Sequence, residues 1–212
     1  MTMSKPLVIA FSGGCFSGKT TTMEKLKESL EKRGHRVIML GELVREHKIG
    51  SIDELRRNYK KYLAFQEEVI RGKILAECHL LSDEYNSDDI ILVDRAITDS
   101  LFYLLFYVDK SKFEFDDISK FYDIQTKTLA HVKFAFDRIY DLVIEFEPIS
   151  KPCEDTVYRP KQVGALKYVE ATTISMLNEY ANRGTLGKLI HWDLNMSSEF
   201  RLIKEIMLRF KL

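Results

Sequence analysis

With 32 Lys and Arg against 32 Asp and Glu over 212 residues, the chain has no formal net charge, which excludes a global field directed at nucleic acid or an anionic membrane. A composition 45% hydrophobic and 30% charged is that of an ordinary globular protein, with length for a sizeable core and a single domain expected over residues 1–212. Cys15, Cys78 and Cys153 lack paired metal spacing, no apolar run approaches the ~20 residues of a bilayer span, and Met1-Thr2-Met3-Ser4-Lys5-Pro6 leads straight into an apolar segment without signal-peptide character. A reducing, cytoplasmic setting is the expectation.

The first predicted element is a strand, Leu7–Phe11, followed by Gly13-Gly14-Cys15-Phe16-Ser17-Gly18-Lys19-Thr20 and then a helical pattern over Lys19–Arg33. G-x-x-x-x-G-K-[ST] between a strand and a helix is a phosphate-binding loop. Its glycines let successive backbone N–H groups turn inward as an anion nest, and the positive end of the next helix backs them. Gly13, Gly14, Cys15, Phe16, Ser17, Gly18, Lys19, Thr20 and Thr21 are the expected nucleotide-binding residues. Lys19 would reach the β- and γ-phosphates of ATP, and the Thr20 hydroxyl would ligate Mg²⁺.

Further strands are predicted at Arg36–Leu40, Asp89–Val93, Ile139–Phe146 and Lys188–Trp192. Helices are predicted at Ile52–Glu84, Thr98–Val108, Asp116–Phe136, Pro160–Asn182 and Ser197–Phe210, with Gly34 and Gly184 as helix stops. Alternation of strand and helix gives a doubly wound α/β domain: a five-stranded parallel sheet, flanked by helices, with its ligand crevice at the carboxyl ends of the strands.

Those strand ends carry the remaining candidates. After the second strand come Glu42 and Arg45, and after the third come Asp94, Arg95 and Asp99. Asp94, ending an apolar strand, suits a carboxylate that holds Mg²⁺ directly or through water. Hydrolytic ATPases commonly place a glutamate next, to activate water. Arg95 stands there instead, and a cation cannot serve as a general base. Transfer to a bound hydroxyl is thereby favoured over hydrolysis. Glu42 or Asp94 could accept the acceptor's proton, and that choice stays open.

Residues 148–165 hold three of the four prolines and alternating charges, as expected of a lid loop from which Arg159 or Lys161 closes over the phosphates. Arg56-Arg57-Asn58-Tyr59-Lys60-Lys61-Tyr62 could track a polynucleotide backbone. At helical spacing, Tyr59, Tyr62 and Leu63 more simply form a core stripe with the basic residues solvated. Gln66, Glu67 and Glu77 project from the same helix toward an expected acceptor pocket.

Taken in order, the phosphate loop, Glu42-x2-Arg45, Gln66, Asp94-Arg95-x3-Asp99 and Tyr140-Asp141-Leu142-Val143-Ile144 resemble the P-loop nucleoside and nucleotide kinases over about residues 6–195. The NadR-like branch, which phosphorylates nicotinamide riboside, looks closest, with thymidylate and deoxynucleoside kinases as wider relatives. The resemblance implies that Lys19 and Thr20 serve ATP and Mg²⁺, Asp94 the metal or acceptor, and Arg95 the phosphates. Glu42, Arg45, Gln66 and Asp99 would then contact the acceptor. In the lid, Asp155 precedes Arg159 by four positions, where that branch usually spaces an acid and an arginine by three.

The function expected is phosphotransfer from ATP to a hydroxyl of a nucleoside, nucleotide or related small group. One alternative is a kinase acting on a hydroxyl carried by nucleic acid, on a modified base or a strand end. From another class comes an NTP-hydrolysing switch or ATPase. The Asn-Lys-x-Asp of a guanine-nucleotide switch does not occur in the sequence.

Overall fold

The computed structural model describes residues 5–14, 17–41, 55, 57–107, 110–147, 188–193 and 198–212. Within them run β1 (Leu7–Gly13), α1 (Lys19–Glu31), β2 (Val37–Leu40), α2 (Tyr59–His79), β3 (Ile90–Asp94), α3 (Ile97–Tyr107), α4 (Phe115–Phe134), β4 (Leu142–Phe146), β5 (Leu189–Trp192) and α5 (Glu199–Phe210). The strands form one sheet in the order β2-β3-β1-β4-β5. Every pairing is parallel, with Phe11 level with Asp94 on one side and Ile144 on the other.

Strand sequences are nearly continuous apolar runs because both faces of the sheet are covered. Alternate side chains serve opposite layers. Ile9, Phe11, Leu92 and Ile144 pack with Met23, Leu26 and Leu30 of α1 and Leu202 and Ile206 of α5. Val8, Ala10, Ile91, Val93 and Val143 pack with Tyr62, Leu63 and Ile70 of α2, Leu101 of α3 and Val132 of α4. As β1 lies at the centre, its carboxyl end has β3 and β4 on its flanks, and the phosphate-loop sequence emerges between them.

The elements match the sequence expectations except at their ends. Gly34 follows α1 with φ 89°, the left-handed stop expected there. The fourth strand begins at Leu142 rather than Ile139, because Ala135–Ile139 form a wide helical turn that continues α4. Tyr140 N–H closes that turn on Ala135 O at 2.8 Å. Ile139 and Tyr140 are both fully buried, so they read as strand from apolarity although they fill the core from a turn. Likewise α2 stops at His79, short of Glu84. The predicted helix over Pro160–Asn182, the stop at Gly184 and the lid at 148–165 lie outside the described residues. Among the described residues, no helix is long and apolar enough to cross a membrane.

Candidate phosphate-binding site

At the carboxyl end of β1 the chain turns sharply through Gly13, with φ 128°. A Cβ there would stand 2.4 Å from the carbonyl oxygen of Phe146 on β4. Only glycine combines that dihedral with that approach of a neighbouring backbone. Gly18, also left-handed at φ 81°, then starts α1. No side chain caps this helix and its first turn holds no acidic residue, which suits a helix N-terminus that takes an anion. Thr22 closes the first turn by donating its hydroxyl to Gly18 O at 3.0 Å.

Lys19 is buried and folds back over the loop. Its ammonium donates to Gly13 O at 2.7 Å, Gly14 O at 2.6 Å and Ser17 Oγ at 3.1 Å. Three donors meet three acceptors, which holds the charge at the loop without a phosphate. Thr20 Oγ1 lies 3.5 Å from Asp94 Oδ2, so the first turn of α1 and the end of β3 present a hydroxyl and a carboxylate to one another. Thr21, next along α1, is exposed.

Arg95 follows Asp94 with φ 70°, a left-handed conformation uncommon for a residue with a side chain. Its guanidinium stands over the Tyr103 ring at 5.3 Å from the centroid. Nη1 donates to Tyr103 Oη at 3.1 Å and comes within 3.5 Å of both Gly13 O and Asp99 Oδ2. Asp99 lies under the loop, where Ser12 Oγ donates to its Oδ1 at 2.5 Å and Gly13 N–H reaches the same oxygen at 3.4 Å. Burial pushes the Asp99 carboxyl above the usual aspartate value, against the opposing pull of Arg95, Lys19 and the Ser12 hydroxyl. With Ser12 and Gly13 on one oxygen and Arg95 near the other, Asp99 braces the loop.

The structure thus brings Gly13, Gly14, Ser17, Gly18, Lys19, Thr20, Asp94, Arg95 and Asp99 together at one end of the sheet. Gln66 is buried on α2, on the layer that carries α3. Two residues named with it go elsewhere. Glu67 pairs with Lys120 at 2.6 Å, and Glu77 is wholly buried among core side chains. Cys15, Phe16, Glu42, Arg45 and Arg159 lie outside the described residues.

Sequence reasoning passed over Ser12, Tyr103 and Glu145. Glu145 is level with Ser12 in the β1–β4 register and has no exposed surface. Its signal was available, since it is the one charge within the strand Leu142-Val143-Ile144-Glu145-Phe146. Ser12 carried a weaker version of that signal. Tyr103 carried none, because nothing in an amphipathic helix says which tyrosine will meet an arginine eight residues earlier.

Among solved structures, the NadR protein in complex with NR superposes with a TM-score of 0.70 at 19% identity, over 98% of this chain and 52% of that one. NadR with NAD and AMP-PNP gives 0.69 at 18%, over 98% and 50%. The chain thus spans about half the length of the NadR protein. Thymidylate kinase from Candida albicans gives 0.62 at 16% identity, over 98% of this chain and 93% of that one. Deoxyadenosine kinase from M. mycoides with bound dATP gives 0.59 at 13%, over 97% and 100%. At such identities the likeness is one of fold. No curated protein matches the sequence. Residues 8–185 match the AAA_28 family, described as an AAA domain, and the chain belongs to that family.

Proposed function

We propose that this chain is an ATP-dependent phosphotransferase that moves the γ-phosphoryl group to a hydroxyl of a nucleoside, nucleotide or related small molecule. The observation that carries the reading is that Asp94, ending β3, and Arg95, just after it, meet different partners. Asp94 turns toward Thr20, while left-handed Arg95 turns its guanidinium toward the Gly13 carbonyl. A guanidinium at that position cannot take a proton from water, but it can neutralise charge on a transferring phosphoryl group. The attacking oxygen is then a bound hydroxyl, whose proton passes to Asp94 or Glu42.

In this reading the N–H groups opening α1 and the loop amides hold the phosphates, and Lys19 exchanges the Gly13 and Gly14 carbonyls for β- and γ-phosphate oxygens. Thr20 and Asp94 suit Mg²⁺. They offer hard oxygen donors facing one another. When bound, the ion would offset charge on the β- and γ-phosphates. Arg159, from a lid at 148–165 within one kinase domain, would supply a second cation. The NadR fold with bound AMP-PNP supports an adenine triphosphate as donor. Gln66, with Glu42 and Arg45, would contact the acceptor.

A hydroxyl on nucleic acid draws less support. Of the basic and aromatic residues opening α2, Tyr59 donates to Asp117 at 2.8 Å and Lys60 pairs with Glu114 at 2.9 Å, so both are engaged with α4 and the turn before it. Incubation with γ-labelled ATP and Mg²⁺ against nucleosides, nucleoside monophosphates, nicotinamide riboside and DNA tests the proposal. Label on a small acceptor is expected. Label released only as inorganic phosphate overturns the reading in favour of hydrolysis, and label on DNA alone moves it to the nucleic-acid variant.

A further inference from the structure

Behind the phosphate loop, four ionisable side chains converge in the core between α2, α4 and the start of α3. At their centre is Glu77 of α2, with no exposed surface. His131 Nε2 of α4 lies 2.9 Å from Glu77 Oε2, and Lys73, one turn earlier on α2, brings Nζ to 3.3 Å from Oε1. The Tyr140 hydroxyl, at the end of the wide turn after α4, donates to the same Oε1. A buried charge cluster is weak as a source of stability, since well-packed apolar residues commonly do as well.

One contact leads out of it. Tyr140 Oη accepts the backbone N–H of Ile97 at 3.0 Å. Ile97 is the first residue of α3, and its N–H is among those a helix leaves without an internal partner. A capping side chain at the preceding position serves the second or third N–H of a helix and not the first, and Ala96 there offers no acceptor at all. The acceptor therefore comes from a residue 43 positions away. Burial, reinforced by Glu77, keeps the phenol protonated far above its ordinary range. The Oη proton goes to Glu77 and an oxygen lone pair is left for Ile97, so Glu77 sets the direction of the hydroxyl.

Ile97 is two residues beyond Arg95, whose left-handed turn needs its surroundings to hold it. On the front of that turn the guanidinium meets Gly13, Asp99 and Tyr103; on the back Ala96 N–H donates to Phe11 O at 3.2 Å, and the next amide, that of Ile97, donates to Tyr140. We infer that Tyr140, oriented by Glu77 with His131 and Lys73 behind it, is a positioning residue that fixes the Arg95 guanidinium at the phosphate loop through the Ile97 amide. This rests on the proposed role of Arg95 toward phosphate.

Tyr140→Phe removes one oxygen and keeps the ring. Two readouts follow, neither requiring turnover. The Ile97 amide should exchange hydrogen about ten-fold faster or more in the variant, with α1 amides unchanged. Affinity for AMP-PNP with Mg²⁺ should fall about ten-fold in the parent and hardly at all in an Arg95→Ala background, because the tyrosine acts through that arginine. An equal loss in both backgrounds, or unchanged Ile97 exchange, overturns the inference. Should Tyr140→Phe not fold, Glu77→Gln keeps an acceptor oxygen and is expected to shift both readouts the same way by less. Arg95→Ala with wild-type affinity and transfer rate would instead remove the role of Arg95 itself, and Ile97 exchange would still report whether Tyr140 holds α3.

Discussion

Ser12 Oγ donates to Asp99 Oδ1 at 2.5 Å, joining the strand that leads into the phosphate loop to the helix that follows Arg95. The bond spans 87 residues of sequence, and its acceptor is a buried carboxyl group. Asp99 thus holds two pieces of the site in one frame, at the cost of burying its charge.

That cost gives a pH signature. Burial raises the folded-state pKa of Asp99 above the ordinary aspartate value of 3.8, so the unfolded chain ionises first. Its contribution to stability is fully present below 3.8 and is lost as pH rises through the raised value. Asp99→Asn keeps an oxygen for Ser12 and does not titrate. In urea denaturation at a series of pH values, the variant should gain on the parent as pH rises above 3.8. A parent that gains on the variant would mean that Arg95 and Lys19 outweigh burial.

Gly13→Ala should damage the fold and not only the site. Its Cβ would meet the Phe146 carbonyl at 2.4 Å, and the φ of 128° strains any side chain. A loss of about 2–4 kcal/mol in denaturant unfolding is expected, since the obstacle is the backbone of a central strand. A loss below about 0.5 kcal/mol would show that β4 yields.

Lys19→Ala removes an ammonium that donates to two loop carbonyls and a serine hydroxyl. The fold should survive, as judged by its thermal midpoint, while the transfer rate falls by about 10²–10³-fold or more. Retained transfer would take the phosphate loop out of the mechanism.

Thr20 and Asp94 should behave as a pair toward Mg²⁺. Asp94→Asn is expected to lower the transfer rate by at least about 10²-fold while AMP-PNP affinity changes less than ten-fold, and Thr20→Val should raise the Mg²⁺ concentration needed for half-maximal rate. An unchanged Mg²⁺ requirement in both variants would separate these residues from the ion.

The sequence by itself determined the phosphate loop, the parallel sheet and the place of Asp94 and Arg95 at its carboxyl end. These are local facts. A loop motif works through its own backbone, and a strand covered on both faces must be apolar along its length. Legibility failed where a side chain's role depends on what lies opposite it. Glu77 and Asp99 both read as acceptor-facing acids on helices, yet Glu77 closes a core network with Tyr140 and His131, and Asp99 braces Ser12. Ile139 and Tyr140 read as strand from their apolarity, and only their packing makes them the end of a turn. The left-handed Arg95 is the sharpest case, because no residue near it demands that conformation. Gly13 and Asp99 meet its side chain, Phe11 O takes the next amide and Tyr140 the one after, and contacts between segments so far apart in the chain exist only once the sheet has brought them together.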